Sequence, residues 1–445
     1  MPLKNPPGPS DRELVAKIGS IQNDPLRFLG ELSDKFGSVA CFHVFTLPVI
    51  VLSGPEGIKH VLQDNYKQYS KNTIQYNALK SITGKGLLTN DSEDWLRQRR
   101  LAQPAFARPR MLALDEIVSP AVKTMLDRWA QSECLDVDQE MMQVTIEIVG
   151  KALFSIDLSG ESIALTGAVL TTLDHIVYRA RNMVTPPAFL PTPRNLSFQR
   201  ALAVLDRAIY HMIAERRRSG DLCNDLLGML LKAQDEETGQ PMSDRQVRDE
   251  AMTMLIAGHE TVASALTWTW LLLAQNPAVR GRFYAEIRTV LAGRPPCSAD
   301  LPALPYTAAV FSEALRLYPP AWLITRTAAA EDSVEGYRIP RGALIVISPY
   351  VIQRNETYWQ DAQAFQPERF LGPNPPNRYA YIPYGAGPRA CIGSQFAQIE
   401  AQLILATAAQ RYCLDLEGST PAVDALVTLR PHGGMRMRLS AAGQE

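Results

Sequence analysis

The sequence has no long apolar run at its start and no excess of charge of either sign. Residues Met1 to Pro9 contain neither the apolar stretch of a signal peptide nor the ~20 apolar residues of a membrane-spanning helix. The 45 lysines and arginines against 46 aspartates and glutamates leave a formal net charge of -1. No overall field therefore attracts the chain to nucleic acid or to an anionic membrane. We expect a cytoplasmic protein without a membrane anchor and without a nucleic-acid partner.

Cysteines are few, and no two of them form a CxxC pair or another metal-finger spacing. The six are scattered along the chain at Cys41, Cys134, Cys223, Cys297, Cys391 and Cys413. This distribution indicates a reducing compartment in which most thiols are small buried hydrophobes. Cys391 alone stands in a sequence context that calls for another explanation.

Internal repeats, low-complexity tracts and Gly/Ser linkers are also missing from the 445 residues. The 32 prolines fall mainly between segments of apolar residues at helical spacing, as helix boundaries should. β-Branched and aromatic residues predict strands at Val39 to Leu52, at Tyr337 to Ile352, and in a pairing of Cys413 to Leu416 with Met435 to Leu439. We predict one mainly α-helical domain over residues 1–445, with a small β region and no fused reductase.

The longest helical signal begins at Ser243, where Ser243-Asp244-Arg245-Gln246 is typical of a capping box. The segment meets no proline until Pro277, so the helix would run on the order of 50 Å. Its middle, from Ala251 to Thr261, is apolar on nearly all sides. A helix of this kind is central and buried. A further helix is predicted to end before Pro319-Pro320, and another to follow Cys391.

Cys391 lies in a glycine-rich turn just ahead of a predicted helix, within Tyr384-Gly385-Ala386-Gly387-Pro388-Arg389-Ala390-Cys391-Ile392-Gly393. Backbone N–H groups and the positive end of a helix dipole would favour a thiolate at this position. Gly385, Gly387 and Gly393 would permit a tight, partly left-handed backbone that lies flat against a large planar ligand. Such a thiolate suits the axial position of a haem iron. The alternative is one more buried, inert cysteine.

The cysteine loop resembles the signature of the cytochrome P-450 family, Phe-Gly-x-Gly-x-Arg-x-Cys-x-Gly, with Tyr384 in place of the usual Phe. Further segments resemble the family's other motifs in the same order along the chain. These are Trp95-Leu96-Arg97-Gln98-Arg99, Ala257-Gly258-His259-Glu260-Thr261, Glu313-Ala314-Leu315-Arg316 and Pro367-Glu368-Arg369-Phe370. The resemblance covers nearly the whole chain. It implies the cytochrome P-450 fold, with haem b between the long central helix and the helix after the cysteine loop, and with Cys391 as axial thiolate.

The resemblance also implies roles for residues that would mean little singly. On the central helix, Gly258 would leave room for dioxygen, Thr261 would hydrogen-bond it, and Glu260 would supply protons. Without the resemblance, Thr261 would merely bond back to the carbonyl of Ala257, and Glu260 would be solvated. His259 is expected to be structural.

Three further groups of residues follow from the resemblance. Glu313, Arg316 and Arg369 would form a buried ion network that fixes the cysteine loop. The haem would also contact Trp95, Arg99, Arg326, Arg389, Tyr384 and Gly393, of which Trp95 and the three arginines would hold its propionates. Apolar substrate would contact Tyr76, Leu87, Leu88, Ala257, Trp322, Leu323 and Ile324.

The implied function is a haem-dependent monooxygenase of secondary metabolism that hydroxylates or epoxidises an apolar fatty acid, terpenoid or polyketide. Its partners would be dioxygen and a separate ferredoxin or flavodoxin with its reductase. Two alternatives remain at this point. One is a haem-thiolate enzyme that uses peroxide or rearranges its substrate without dioxygen. The other is a non-catalytic haem carrier or gas sensor.

Overall fold

Helices dominate the computed structural model, which describes residues 3–155, 162–181, 185–220, 225–234, 239–373 and 376–442. The α-helices are α1 (Asp11–Asn23), α2 (Pro25–Phe36), α3 (Pro55–Lys59), α4 (Ile74–Thr83), α5 (Ser92–Ala102), α6 (Arg108–Leu112), α7 (Asp115–Trp129), α8 (Val137–Phe154), α9 (Ser162–Arg181), α10 (Pro193–Ser219), α11 (Leu226–Lys232), α12 (Asp244–Gln275), α13 (Pro277–Leu291), α14 (Pro305–Leu317), α15 (Pro349–Ile352) and α16 (Ser394–Ala409). The strands are β1 (Val39–Val44), β2 (Leu47–Leu52), β3 (Tyr69–Ser70), β4 (Cys134–Asp136), β5 (Ile324–Ala328), β6 (Asp332–Val334), β7 (Tyr337–Ile339), β8 (Leu344–Ile347), β9 (Tyr412–Leu416), β10 (Val423–Ala425), β11 (Leu429–Pro431) and β12 (Arg436–Ala441). The predicted mainly α fold with a small β region is confirmed.

The chain divides into two compact units. The first comprises Met1–Asn77, Leu315–Phe365 and Gly372–Cys391, and the second comprises Ala78–Ala314, Gln366–Leu371 and Ile392–Glu445. The prediction of one domain over residues 1–445 stays a prediction. Among the described residues, none of the helices combines the length and the apolar character needed to cross a membrane.

The first unit contains a five-stranded sheet in the order β1-β2-β8-β5-β3. Strands β1 and β2 form an antiparallel hairpin, and β2 pairs in parallel with β8. Residues 49–52 of β2 and 345–347 of β8 are buried, because these strands lie inside the sheet and carry mainly Val, Ile and Leu. The predicted strands within Val39 to Leu52 are confirmed.

The strand prediction for Tyr337 to Ile352 is wrong at its end. Strands β7 and β8 lie within it, but residues 349–352 form the short helix α15. The reason is local: Pro349 occupies the first helical turn, and the Ser348 side chain accepts a hydrogen bond from Val351 N–H. These start signals outweigh the β-branched residues that follow.

The second unit is organised around the 32-residue helix α12, which is about 48 Å long. Its predicted capping box is present, since Ser243 accepts from Gln246 N–H and the Gln246 side chain accepts from Ser243 N–H. The helix ends at Gln275, just before Pro277, where the sequence predicted it to stop. Helices α8 and α10 pack against α12. The prediction of a central, buried helix is confirmed.

Two small sheets end the second unit. Strand β12 pairs antiparallel with β9, as predicted, and also with β4. Strands β10 and β11 form a separate hairpin. This hairpin is fixed to α12 at one carbonyl group: the oxygen of Leu429 accepts from Ser264 Oγ at 2.6 Å and from Trp268 Nε1 at 3.0 Å. Residues near the end of the chain are thereby held at the middle of the central helix.

Candidate active site

The cysteine loop is closed by its own backbone. Cys391 N–H donates to the carbonyl oxygen of Tyr384 at 2.9 Å. Gly385 and Gly387 have φ values of 70° and 71°, in the left-handed region that favours glycine. A Cβ atom on Gly387 would lie 1.8 Å from the carbonyl oxygen of Leu62, so no other residue fits there. The loop therefore depends on these two glycines.

The Cys391 side chain is exposed. It is thus not the buried, inert cysteine of the alternative interpretation, a description that fits the buried Cys413 instead. An accessible sulfur on a loop that also carries the half-buried Arg389 fits a metal-bound macrocycle with anionic substituents. The donor set of this loop therefore fits haem.

Gly393 differs from the two left-handed glycines of the loop. Its φ is -93°, and it is the residue that precedes the first turn of α16. A Cβ there would meet Phe106 Cε1 at 3.6 Å, which is an ordinary contact distance. Gly393 therefore starts the helix and is not needed for the turn around the sulfur.

Glu313 and Arg369 meet in the second unit. Glu313 is fully buried. Its Oε1 accepts from Arg369 Nε at 3.3 Å and from Gln366 N–H at 2.9 Å. These bonds tie the segment Pro367–Phe370 to helix α14. The carboxylate thus accepts hydrogen bonds from a charged donor and from a backbone donor, as a buried charge requires.

Arg316 lies in the first unit and is also fully buried. It donates to the backbone carbonyl groups of Gln353 and Ala362, both at 2.7 Å, and to that of Ala364 at 2.9 Å. The Arg316 guanidinium also lies over the Trp359 ring, with its carbon 5.1 Å from the ring centroid. Arg316 therefore organises the loop after α15.

Helix α12 is buried along its middle except at one place. Between Val247 and Leu273, the residues that are not buried are Ala257, Gly258 and Thr261. Thr261 lies within about 60° of both Ala257 and Gly258 around the helix axis, because positions three and four residues apart share a face. The predicted oxygen-activation motif thus coincides with the accessible patch of the central helix.

Gly258 has a role that the sequence did not indicate. A Cβ atom at this position would approach Val149 Cγ2 of α8 to 3.2 Å. The missing side chain therefore permits close packing of α12 on α8. The expectation that Gly258 leaves room for dioxygen stays a prediction.

Thr261, Glu260 and His259 have different surroundings. Thr261 Oγ1 donates to the carbonyl oxygen of Ala257 at 2.7 Å, so the local back-bond is present. Glu260 is buried, and its Oε1 accepts from Thr428 Oγ1 at 2.9 Å, so the interpretation of a solvated side chain is wrong. Burial raises the pKa of Glu260 against the lowering effects of Arg430 and Thr428. Burial and the neighbouring Arg430 lower the pKa of His259 to about 3, which keeps it neutral.

Arg326, Arg99 and Trp95, three of the residues expected to hold haem propionates, contact other side chains within their own units. In the first unit, Arg326 is buried and its Nη1 donates to Tyr76 Oη at 3.4 Å and to the Thr325 carbonyl at 2.8 Å. In the second unit, the Arg99 guanidinium carbon lies 5.9 Å from the centroid of the buried Trp95 ring. The structure therefore brings Arg326 to Tyr76, a residue expected to contact substrate.

The expected substrate residues are mostly apolar side chains with little exposure. Tyr76, Trp322 and Ile324 of the first unit are buried, and Leu323 is half-buried. In the second unit, Leu87 is buried and Leu88 is half-buried.

A set of contacts that the sequence did not reveal fixes the loop with Leu87. Glu250 Oε2 accepts from Leu87 N–H, and Asp249 Oδ2 accepts from Lys85 N–H, both at 2.9 Å. The other Glu250 oxygen has no hydrogen-bond partner among the described residues. Burial, together with the neighbouring Asp249, raises the pKa of Glu250 to about 7. The partners are more than 160 residues apart, so no local pattern could have predicted them.

Comparison with known proteins identifies the chain's family. The profile of the cytochrome P450 family (cytochrome P-450) matches residues 6–434. Cyclooctatin synthase of Streptomyces melanosporofaciens is 39% identical over 87% of this chain and 85% of its own length. Pentalenene oxygenase of Streptomyces avermitilis is 33% identical over 96% of this chain and 95% of its own length. The chain belongs to the cytochrome P-450 family.

The fold is that of a solved relative. The crystal structure of the cytochrome P-450DA haem domain matches with a TM-score of 0.90 at 24% identity, over 99% of this chain and 98% of that one. Membership of the family supports haem as the cofactor and an apolar substrate with dioxygen. The activity is that of a monooxygenase, as in the relatives named pentalenene oxygenase and cyclooctat-9-en-7-ol 5-monooxygenase.

Replacing Glu313 with alanine should give apoprotein or aggregate. The substitution leaves Arg369 without its carboxylate partner in a buried site, at a cost of about 3–5 kcal/mol in the free energy of unfolding. Soluble yield and haem content per protein measure the effect. The matched control is Glu331→Ala, which removes the exposed ion pair with Arg338 and should leave both quantities unchanged. Normal haem content in Glu313→Ala would contradict this account.

Opening of the Leu87 loop should depend on pH through Glu250. The buried carboxyl has a pKa of about 7, whereas in an opened, hydrated loop the pKa would approach 4.5. Opening should therefore become about two orders of magnitude more favourable as pH rises from 4.5 to 7 and level off above that. Hydrogen exchange of Leu87 N–H, corrected for its intrinsic rate, measures this. Glu250→Gln should remove the dependence; an equal dependence in that variant would exclude Glu250 as its source.

Proposed function

We propose that the chain uses haem b, ligated by the thiolate of Cys391, to hydroxylate or epoxidise a terpenoid. The observation that carries the proposal is the exposed Cys391 side chain on its closed loop. When bound, the haem would supply the activation of dioxygen, one atom of which enters the substrate while the other leaves as water. The rest of the reaction depends on how the protein places substrate and protons.

Five side chains would hold the cofactor. Cys391 would be the axial ligand, and its accessible sulfur on a rigid loop suits that position. Two anionic propionates need cationic or N–H donors. Arg326, Arg389, Arg99 and Trp95 provide such donors, and Arg326 is already oriented by its bonds to Tyr76 and Thr325.

Thr261 and Glu260 would handle protons. The Thr261 hydroxyl lies at the accessible patch of α12, and its bond to Ala257 leaves its oxygen lone pairs available as acceptors. The raised pKa of the buried Glu260 favours the protonated carboxyl, which can donate. Thr261 would thus bind at the accessible patch, and the adjacent Glu260 would hold a proton next to it.

The names of the relatives favour a terpenoid over a fatty acid or a polyketide. Cyclooctatin synthase and pentalenene oxygenase are 39% and 33% identical to this chain. The residues expected to line the pocket, including Trp322, Ile324 and Leu87, are apolar and would bind a hydrocarbon skeleton through burial of surface. Electrons would come from a separate ferredoxin or flavodoxin with its reductase, and the protein would work in the cytoplasm.

A cyclic terpene should be the better ligand when compared with a fatty acid of equal carbon number. Burying a carboxylate without a dedicated partner costs more than burying a hydrocarbon. The haem spectrum during titration reports binding, and mass spectrometry after turnover in labelled dioxygen should find one labelled oxygen atom in the product. Binding and oxidation of the fatty acid alone would contradict the terpenoid assignment, and oxygen drawn from water would contradict the reaction.

Replacing Thr261 with alanine should leave carbon monoxide binding intact but waste reducing equivalents. Without the hydroxyl at the accessible patch, dioxygen loses a hydrogen-bond partner and protons are delivered to it less efficiently. More hydrogen peroxide is therefore released per NADPH consumed. Thr261→Ser is the matched control, because it keeps the hydroxyl and should stay close to wild type. Unchanged coupling in Thr261→Ala would remove Thr261 from the mechanism.

A further inference from the structure

The hairpin of β10 and β11 is fixed to the interior of the second unit by three consecutive residues, Thr428, Leu429 and Arg430. Thr428 Oγ1 donates to Glu260 Oε1 at 2.9 Å. The Leu429 carbonyl accepts from two side chains of α12, as described above. Arg430 forms an ion pair with Asp138 of α8. Thr428 and Leu429 are thus bonded to α12, and Arg430 is bonded to α8.

The charges in this cluster are unbalanced if every acid is ionised. Arg430 is the cation, Asp138 is its direct ion-pair partner, and all of these groups are buried. Glu260 has a hydroxyl donor, not a cation, at hydrogen-bond distance. The buried His259 stays neutral and adds no second positive charge. Because a second carboxylate in this cluster would have no cation of its own at hydrogen-bond distance, burial favours the protonated form of Glu260.

The position of Glu260 explains why it needs an anchor. It is one residue before Thr261, so its side chain projects about 100° away from that of Thr261 around the helix axis. Glu260 is buried, whereas Thr261 is half-buried. A carboxyl group at the edge of the patch can pass on a proton only if one rotamer is favoured over others that point elsewhere. The Thr428 hydroxyl is a fixed donor that selects such a rotamer.

We propose that Thr428 is a positioning residue for proton delivery: its hydroxyl holds the Glu260 carboxyl, and the Arg430–Asp138 ion pair holds the segment that carries Thr428. The inference rests on the proposed function, in which Glu260 supplies the proton. In the step, one O–H bond breaks at Glu260 and one forms on a water at the Thr261 side. The Thr428 hydroxyl and the charge of Arg430 then stabilise the carboxylate until water from bulk solvent protonates it again.

The groups that face Glu260 also determine its response to pH. Arg430 and Thr428 favour the carboxylate, whereas burial and Asp138 favour the protonated carboxyl. Removing the Thr428 hydroxyl therefore has two effects with a common origin. The carboxyl loses its preferred orientation, and the carboxylate formed after proton release becomes less stable. Both effects slow proton delivery.

The experiment compares Thr428→Val with Thr428→Ser, Glu260→Gln and the double variant Glu260→Gln/Thr428→Val in the haem-loaded protein. Peroxide released per NADPH and the solvent isotope effect on turnover report proton delivery. Thr428→Val should raise the peroxide fraction roughly five-fold, the factor set by one neutral hydrogen bond, and should enlarge the isotope effect. Thr428→Ser should restore both. The double variant should be no worse than Glu260→Gln, because Thr428 acts through Glu260.

Two controls separate positioning from a structural defect. Ser264→Ala removes another bond between the hairpin and α12 without touching Glu260, and should leave coupling unchanged. The infrared C=O band of Glu260, identified as the band lost in Glu260→Gln, should shift in Thr428→Val and stay in place in Thr428→Ser. This band does not depend on turnover. Thr428→Ala, with less bulk, replaces the valine variant if valine prevents folding.

The outcomes distinguish this inference from the proposed function. An unshifted infrared band, or wild-type coupling in Thr428→Val while Glu260→Gln is uncoupled, would overturn the role of Thr428 and leave the proposed function standing. Defects that add in the double variant would also overturn it, because they would show a contribution independent of Glu260. Full coupling in Glu260→Gln would instead remove Glu260, and with it the proton-delivery part of the proposed function.

Discussion

One backbone hydrogen bond, from Cys391 N–H to the carbonyl oxygen of Tyr384, closes the loop that carries the sulfur proposed as the haem ligand. The bond can form because Gly385 and Gly387 adopt left-handed backbone angles, and Gly387 lies so close to the Leu62 carbonyl that a side chain is impossible. The closed loop leaves the thiol exposed. A soft, accessible donor on a closed loop suits the axial position of a haem iron.

The long helix α12 contributes the second constraint. Its length and nearly complete burial make it the helix around which the second unit is organised. Its accessible patch at Ala257, Gly258 and Thr261 is the part of its middle that a ligand could contact. Loops from distant parts of the chain are bonded to its polar side chains, at Glu250 and at Glu260. Each of these two carboxyl groups is buried and has a raised pKa. The hydrogen bond to each one therefore links the position of a loop to the protonation state of the carboxyl group.

Local signals in the sequence were sufficient for the helices and for the cysteine loop. The Ser243 capping box, Pro277 and the glycines at 385 and 387 act within a few residues, and the structure has them where they were expected. The sequence did not reveal contacts with distant neighbours: Gly258 packs near Val149, and Glu260 accepts a hydrogen bond from Thr428. Prediction failed at Pro349, where helix-start residues outweighed a β-branched composition. Contacts that join residues 160 or more apart leave no periodic trace in one sequence.

The most direct test of the account is the reduced carbon monoxide difference spectrum of the purified protein beside that of Cys391→His. Thiolate ligation predicts a long-wavelength absorption band in the wild type, which should move to the shorter wavelength of an imidazole-ligated globin in the variant. A globin-like band in the wild type, or an unchanged band in Cys391→His, would contradict the assignment of Cys391 as the ligand.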